Sequence, residues 1–212
     1  MDQRLTEMTV RTLVERLATS DPVPGGGSAA AMAGAMGAAL VHMVVDLTVG
    51  RPAAEGQGKA LTEIGHHATQ WQSELLNLAE LDANAYDAVV RARRLPRESE
   101  RERATRSVQI GAALREATRI PLATARAASD VLELAERLTP IANRNAISDV
   151  GVAALLAVTA LRGAALNVQI NVPHLTSDES LRDKATEEIG RLLATVDERG
   201  RVVGNAVAER LR

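Results

Sequence analysis

The sequence contains no cysteine and no phenylalanine, and its 212 residues hold a single tryptophan and a single tyrosine. Without cysteine there is no disulfide framework, no thiolate metal site and no cysteine nucleophile, and a reducing cytoplasm is the expected setting. The scarcity of aromatics argues against a β-sandwich, whose strands draw on aromatic and β-branched residues. Small residues take their place: 38 alanines and 15 glycines imply a core formed by close backbone approach, which favours helix against helix. Neither sign of charge dominates. A formal net charge of −2 and a pI near 6.1 give no general basic surface, so no nucleic acid partner is expected. No apolar signal core follows Asp2 and Arg4, so secretion has no support. Gly25 to Val45 lacks any formally charged side chain and is long enough to span a bilayer. It is mostly Ala and Gly and runs into Asp46 and Thr48, so a buried helix is expected and no membrane span.

Helical spacing recurs along the chain. A first helix is expected from Thr9 to Thr19, with Leu13, Val14 and Leu17 on one stripe, stopped by Pro22 and Pro24. Ser28 can cap a second helix running to about Val49, whose residues Ala30, Gly34, Gly37 and Val41 form a small-residue face. The third, from about Glu55 to Arg93, keeps Leu61, Ile64, Ala68, Trp71, Leu75, Leu78, Leu81, Ala85, Val89 and Ala92 on one stripe. Unbroken, it would approach 60 Å at about 1.5 Å per residue, so it is either kinked or reaches a partner. Leu95-Pro96 ends it. A charged segment follows from Glu98 to about Thr118, and Pro121 is placed to open a helix to Leu138. Ser148 can cap the next, stopped by Pro173, and a last helix spans Asp178 to Arg210 with Ile189, Leu192, Leu193, Val196, Val203 and Val207 inward. The expectation is an all-α fold, one domain of six or seven helices over residues 1–212.

Chemistry-bearing residues are few. Pro24-Gly25-Gly26-Gly27-Ser28 opens an apolar helix. Glycines there permit unusual backbone angles, and a helix N-terminus offers N–H groups to an anion or carbonyl; a plain flexible turn is the alternative. Asp82 sits beside Leu81, Ala85 and Val89, where burial would raise its pKa toward acid–base use; pairing with Arg91 or Arg94 is the rival reading. Asp149 falls in a first helical turn, where the dipole favours a carboxylate. Asn167 and Asn171 share one face of an apolar helix and need hydrogen-bond partners, from a ligand or an interface. Arg91 to Arg106 form a basic run interleaved with Glu98, Glu100 and Glu102. With 23 Arg against two Lys in the whole chain, a salt-bridged solvated face is the default and a polycarboxylate site the minority reading. The histidines His42, His66, His67 and His174 lack ligand spacing, so no metal is assigned.

Six ordered motifs carry a resemblance. Pro22 to Ala30, Leu47-Thr48-Val49-Gly50, Asp82-Ala83-Asn84-Ala85-Tyr86, Arg94-Leu95-Pro96-Arg97, Ile147 to Ala154 and Asn167-Val168-Gln169-Ile170-Asn171 together resemble the cyclodeaminase/cyclohydrolase family of folate enzymes. The resemblance implies an all-helical homodimer with a tetrahydrofolate derivative bound near the subunit interface and no further cofactor. By its motifs, Asp82 corresponds to the acid/base residue, and Pro24, Gly25, Gly26, Gly27, Ser28, Arg97, Ser148, Asp149, Asn167 and Asn171 to substrate contacts. Glu80 stands where many members carry a second aspartate, and Arg97 where lysine is usual. The reaction implied is closure of formimidoyltetrahydrofolate to the methenyl form with loss of ammonia. The alternatives are hydrolysis of that methenyl bridge, or a helical dimer that binds without turnover. No formiminotransferase segment lies within the 212 residues, so a free-standing role is expected.

Overall fold

The computed structural model describes residues 4–51 and 55–212. Among these residues every regular element is helical: α1 (Val10–Leu17), α2 (Gly26–Thr48), α3 (Gly58–Arg93), α4 (Glu100–Leu138), α5 (Ile147–Asn171) and α6 (Glu179–Leu211), with short 3₁₀ turns between some of them. The capping signals explain several ends. Thr9 accepts from the Thr12 N–H at 3.2 Å to start α1, Ser99 and Glu102 form a capping box at α4, and Asp178 accepts from Leu181 N–H at α6. Arginines close C-termini: Arg106 donates to the Arg93 carbonyl ending α3, and Arg210 to the Thr139 and Ala142 carbonyls past α4.

Three sequence expectations are corrected. Pro121 does not open a helix; it lies buried inside α4, which takes up the charged segment from Glu100 onward into one 39-residue rod of about 58 Å. A proline there removes the N–H that Ala117 O would accept, and Asn171 of α5 supplies the missing donor from Nδ2 at 2.7 Å. Nor is Ser148 a cap. α5 begins at Ile147, and Asn143 caps the preceding 3₁₀ turn instead. The expected start of the third helix, near Glu55, is moved to Gly58; α3 is a continuous 36-residue helix.

α2 lies between α3 and α5, α6 flanks α5, and α4 packs across all four. The small-residue face sets this arrangement. A Cβ on Gly34 would fall 3.1 Å from Leu75 Cδ1 and 3.3 Å from Ala160 Cβ, and one on Gly37 3.0 Å from the Ala153 carbonyl. Gly163 meets Ala30 in the same way, so α2 and α5 run antiparallel with their backbones nearly touching. Ala30, Val41 and eight of the ten stripe residues of α3 are buried; Trp71 is half-buried, and Leu81 is exposed because it lines a recess. Both α2 and the segment Arg144–His174 are long and apolar enough to cross a membrane, but about half of each such stretch is buried against the other helices.

Candidate active site

The start of α2 has no side chain of its own to cap it, because the residue in the capping position is Gly25. Ser28 lies three residues into the helix and is not the cap the sequence suggests. The acceptor comes from α3. Asp82 Oδ2 receives the Ser28 hydroxyl at 2.9 Å, and the Ser28 backbone N–H also donates to that carboxylate. Such unpaired N–H groups at a helix start favour a negative partner. Gly27 is required by space: a Cβ there would lie 2.2 Å from Asp82 Oδ1 and 2.6 Å from its Cγ. Unusual backbone angles are not the reason, since among the described residues only Gly50 and Gly56 have positive φ.

Burial pushes the Asp82 carboxyl above its ordinary pKa, and the two Ser28 hydrogen bonds pull part of the way back. No arginine contributes. Arg91 pairs with Asp87 one turn along its own helix, so the boundary ion pair offered as the rival reading is not formed. Asp82 is thus a mostly desolvated carboxylate held by one residue of a neighbouring helix, a setting suited to taking and returning a proton.

Of the other expected residues, Asn167 joins this group. Its Nδ2 lies 4.0 Å from where a Gly26 Cβ would stand, while donating to the Gly163 carbonyl at 2.9 Å. Asn171, one turn on, has its amide committed to Ala117 O. Asn171→Ala is expected to lower stability by about 1–3 kcal/mol by leaving that carbonyl unpaired. The loss should shrink when Pro121→Ala restores the helical N–H. Urea melts of the two single variants and the double variant check this, and equal losses in both backgrounds would place the role of Asn171 elsewhere. Ser148 and Asp149 are not brought to Asp82's partners: Asp149 lies 18 residues from Asn167 on the same helix, about 27 Å away. Arg97 is exposed in the α3–α4 link and lines a separate recess.

Residues given no role by the sequence frame the site. Glu80 accepts from both the N–H and hydroxyl of Thr6 at 2.8 Å, pinning the Leu5–Glu7 turn over α3. Asn84 and Leu81 line two adjoining recesses beside α3: one of about 760 Å³ with Ala88, Thr105, Gln109 and Ile120, another of about 500 Å³ with Pro24, Asn77 and Glu80. A polar Asn84 two residues from Asp82 was the available signal. Among the described residues no three His, Asp or Glu side chains converge as metal ligands.

Residues 9–191 match the formiminotransferase-cyclodeaminase family model. A methenyltetrahydrofolate cyclohydrolase of Methylorubrum extorquens is 41% identical over 186 residues, 88% of this chain and 89% of that protein. The formimidoyltransferase-cyclodeaminase of Rattus norvegicus is 31% identical over 192 residues, 91% of this chain but 35% of its own length. The crystal structure of formiminotetrahydrofolate cyclodeaminase from Thermotoga maritima superposes with a TM-score of 0.86 at 25% identity, covering 98% of this chain and 100% of that one.

Proposed function

The chain belongs to the formiminotransferase-cyclodeaminase family of folate one-carbon enzymes, and from that premise we propose that it hydrolyses methenyltetrahydrofolate. The supporting observation is the 41% identity to a named cyclohydrolase across nearly the whole length of both chains. The match to the rat protein is weaker and covers about a third of it. That reverses the order the sequence suggests, in which ring closure with loss of ammonia stands first. Cyclodeamination is the second reading, favoured by the fold match to the Thermotoga protein.

The bridging carbon of the substrate is already cationic and electrophilic, so the protein has to hold the ring system and move protons. Asp82, raised in pKa by burial, takes a proton from the attacking water as the C–O bond forms. It returns one to the departing ring nitrogen as the C–N bond breaks, leaving a formyl group and a net proton in solution. Metal has no role in this scheme, so activity is expected to survive a chelator. Both substrates offered under matched conditions test the reading. Loss of the near-ultraviolet absorbance of the methenyl form supports it; ammonia from the formimino substrate with no such loss would restore cyclodeamination.

The working unit in this reading is a two-fold dimer. α4 covers one side of the α2–α5 pair, and the opposite side is exposed and apolar: Met36, Met43 and Leu47 on α2, Val152, Leu155, Leu166 and Ile170 on α5, with Leu155 69% exposed. A second copy packed antiparallel on that face would bring its Ser148–Asp149 end toward Asn167, relieving the separation of about 27 Å within one chain. Light scattering is expected to give twice the 22.5 kDa chain mass, and Leu155→Glu to halve it and abolish turnover. A 22.5 kDa particle with full activity would rule the dimer out.

A further inference from the structure

The basic run does not form the salt-bridged face expected of it. None of Arg93, Arg94, Arg97, Arg101, Arg103 and Arg106 pairs with a carboxylate among the described residues; the ion pairs nearby are Arg91–Asp87 and Arg119–Glu116. Two of these arginines are instead fixed by neutral groups. Arg103 Nη1 donates to the Arg97 and Glu98 carbonyls at 3.3 and 2.7 Å, and Arg106 donates from Nε and Nη2 to the Arg93 carbonyl at 3.3 and 3.1 Å. Carbonyls orient a guanidinium without cancelling its charge, and each fork retains further N–H donors.

These side chains line a recess of about 330 Å³ with Arg97, Ser107, Thr176 and Ser177, and no carboxylate is among its walls. Nearby acids are turned away: Glu102 accepts from Ser99 N–H at 2.8 Å, and Asp178 from Leu181 N–H at 3.0 Å. Gly111 makes the room, since a Cβ there would sit 3.0 Å from Ser177 Oγ and 3.9 Å from Arg115 Nη1.

We propose that this recess is a binding site for a phosphoryl-type oxyanion, separate from the Asp82 site. Three guanidiniums and three hydroxyls approach from α4, the α3–α4 link and the α5–α6 link, a spread of donors that suits a tetrahedral anion with three or four acceptor oxygens. The ligand is a molecule of its own and not the tail of a substrate held at Asp82. At 3.6 residues per turn, Ser107, Gly111 and Leu114 lie on the opposite side of α4 from Gln109, Ala112 and Glu116, which line the recess next to Asn84.

Titration of the intact protein with inorganic phosphate and pyrophosphate at low ionic strength, by calorimetry without substrate, tests this. Saturable binding is expected, weakened about tenfold or more by Arg97→Gln and abolished by Ser107→Glu, with Arg101→Gln unchanged. Melting curves of each variant establish that it is folded. Absence of saturable binding, equal weakening by Arg101→Gln, or equal affinity for a simple dicarboxylate would each overturn the proposal. So would displacement of pyrophosphate by a reduced folate, which would make the recess part of the substrate site.

Discussion

Asp82→Asn is expected to reduce turnover at least about a hundredfold, the usual scale for a lost acid or base, while keeping the fold and raising its stability at neutral pH. The amide oxygen still accepts from Ser28, so the start of α2 keeps a partner. Burial raises the folded-state pKa above the ordinary value of 3.8, so the folded protein holds this proton more tightly than the unfolded chain. The contribution of Asp82 to stability is therefore fully present below the unfolded pKa and declines as pH rises through the folded one. Asparagine does not titrate, so its advantage over the native residue should open across that window and then level off. Thermal melts at a series of pH values check the stability claim, and kcat and KM profiles check the chemical one. Ser28→Ala sharpens the test. Losing a hydrogen bond that favours the ionised form should move the acid limb of the rate profile to higher pH. Normal turnover by Asp82→Asn would reduce this carboxylate to a helix cap borrowed from α3.

Gly27→Ala should be nearly as damaging for a different reason. Its Cβ would lie 2.2 Å from Asp82 Oδ1 and 2.6 Å from both Cγ and Oδ2, so the whole carboxylate is overlapped, and that short side chain is tied to Ser28. Relief requires α2 or α3 to shift or the carboxylate to turn away, at about 1–3 kcal/mol of stability. A displacement of that size at a proton-transfer group lowers kcat on the order of a hundredfold. Gly26→Ala is the contrast. Its nearest neighbour outside the local chain is 4.0 Å away, ordinary contact, so stability and turnover should stay close to wild type. The double variant Gly27→Ala with Asp82→Ala separates space from chemistry, because removing the carboxylate should restore stability without restoring activity. If Gly27→Ala alone were stable and active, the contact between the two helices would not be as tight as described.

Much of the molecule was legible in one dimension because its information is local. The periods of α2, α3 and α6, the arrest at Pro22–Pro24, Leu95-Pro96 and Pro173, and the small face of Ala30, Gly34, Gly37 and Val41 all follow from spacings of three and four residues. Asp82 was visible for the same reason, as a carboxylate on an otherwise apolar stripe. What the spacing could not show was every pairing between distant segments. Ser28 reads as a cap but serves Asp82, 54 residues away. Pro121 reads as a helix start, yet Asn171 satisfies the carbonyl it frees from across the bundle. The arginine run reads as a salt-bridged face, whereas Arg106 holds the Arg93 carbonyl that ends α3 and Arg103 the Glu98 carbonyl in the α3–α4 link. Periodicity is a property of one helix, but a polar group's partner depends on which helices the packing brings beside it, and only the tertiary structure decides that.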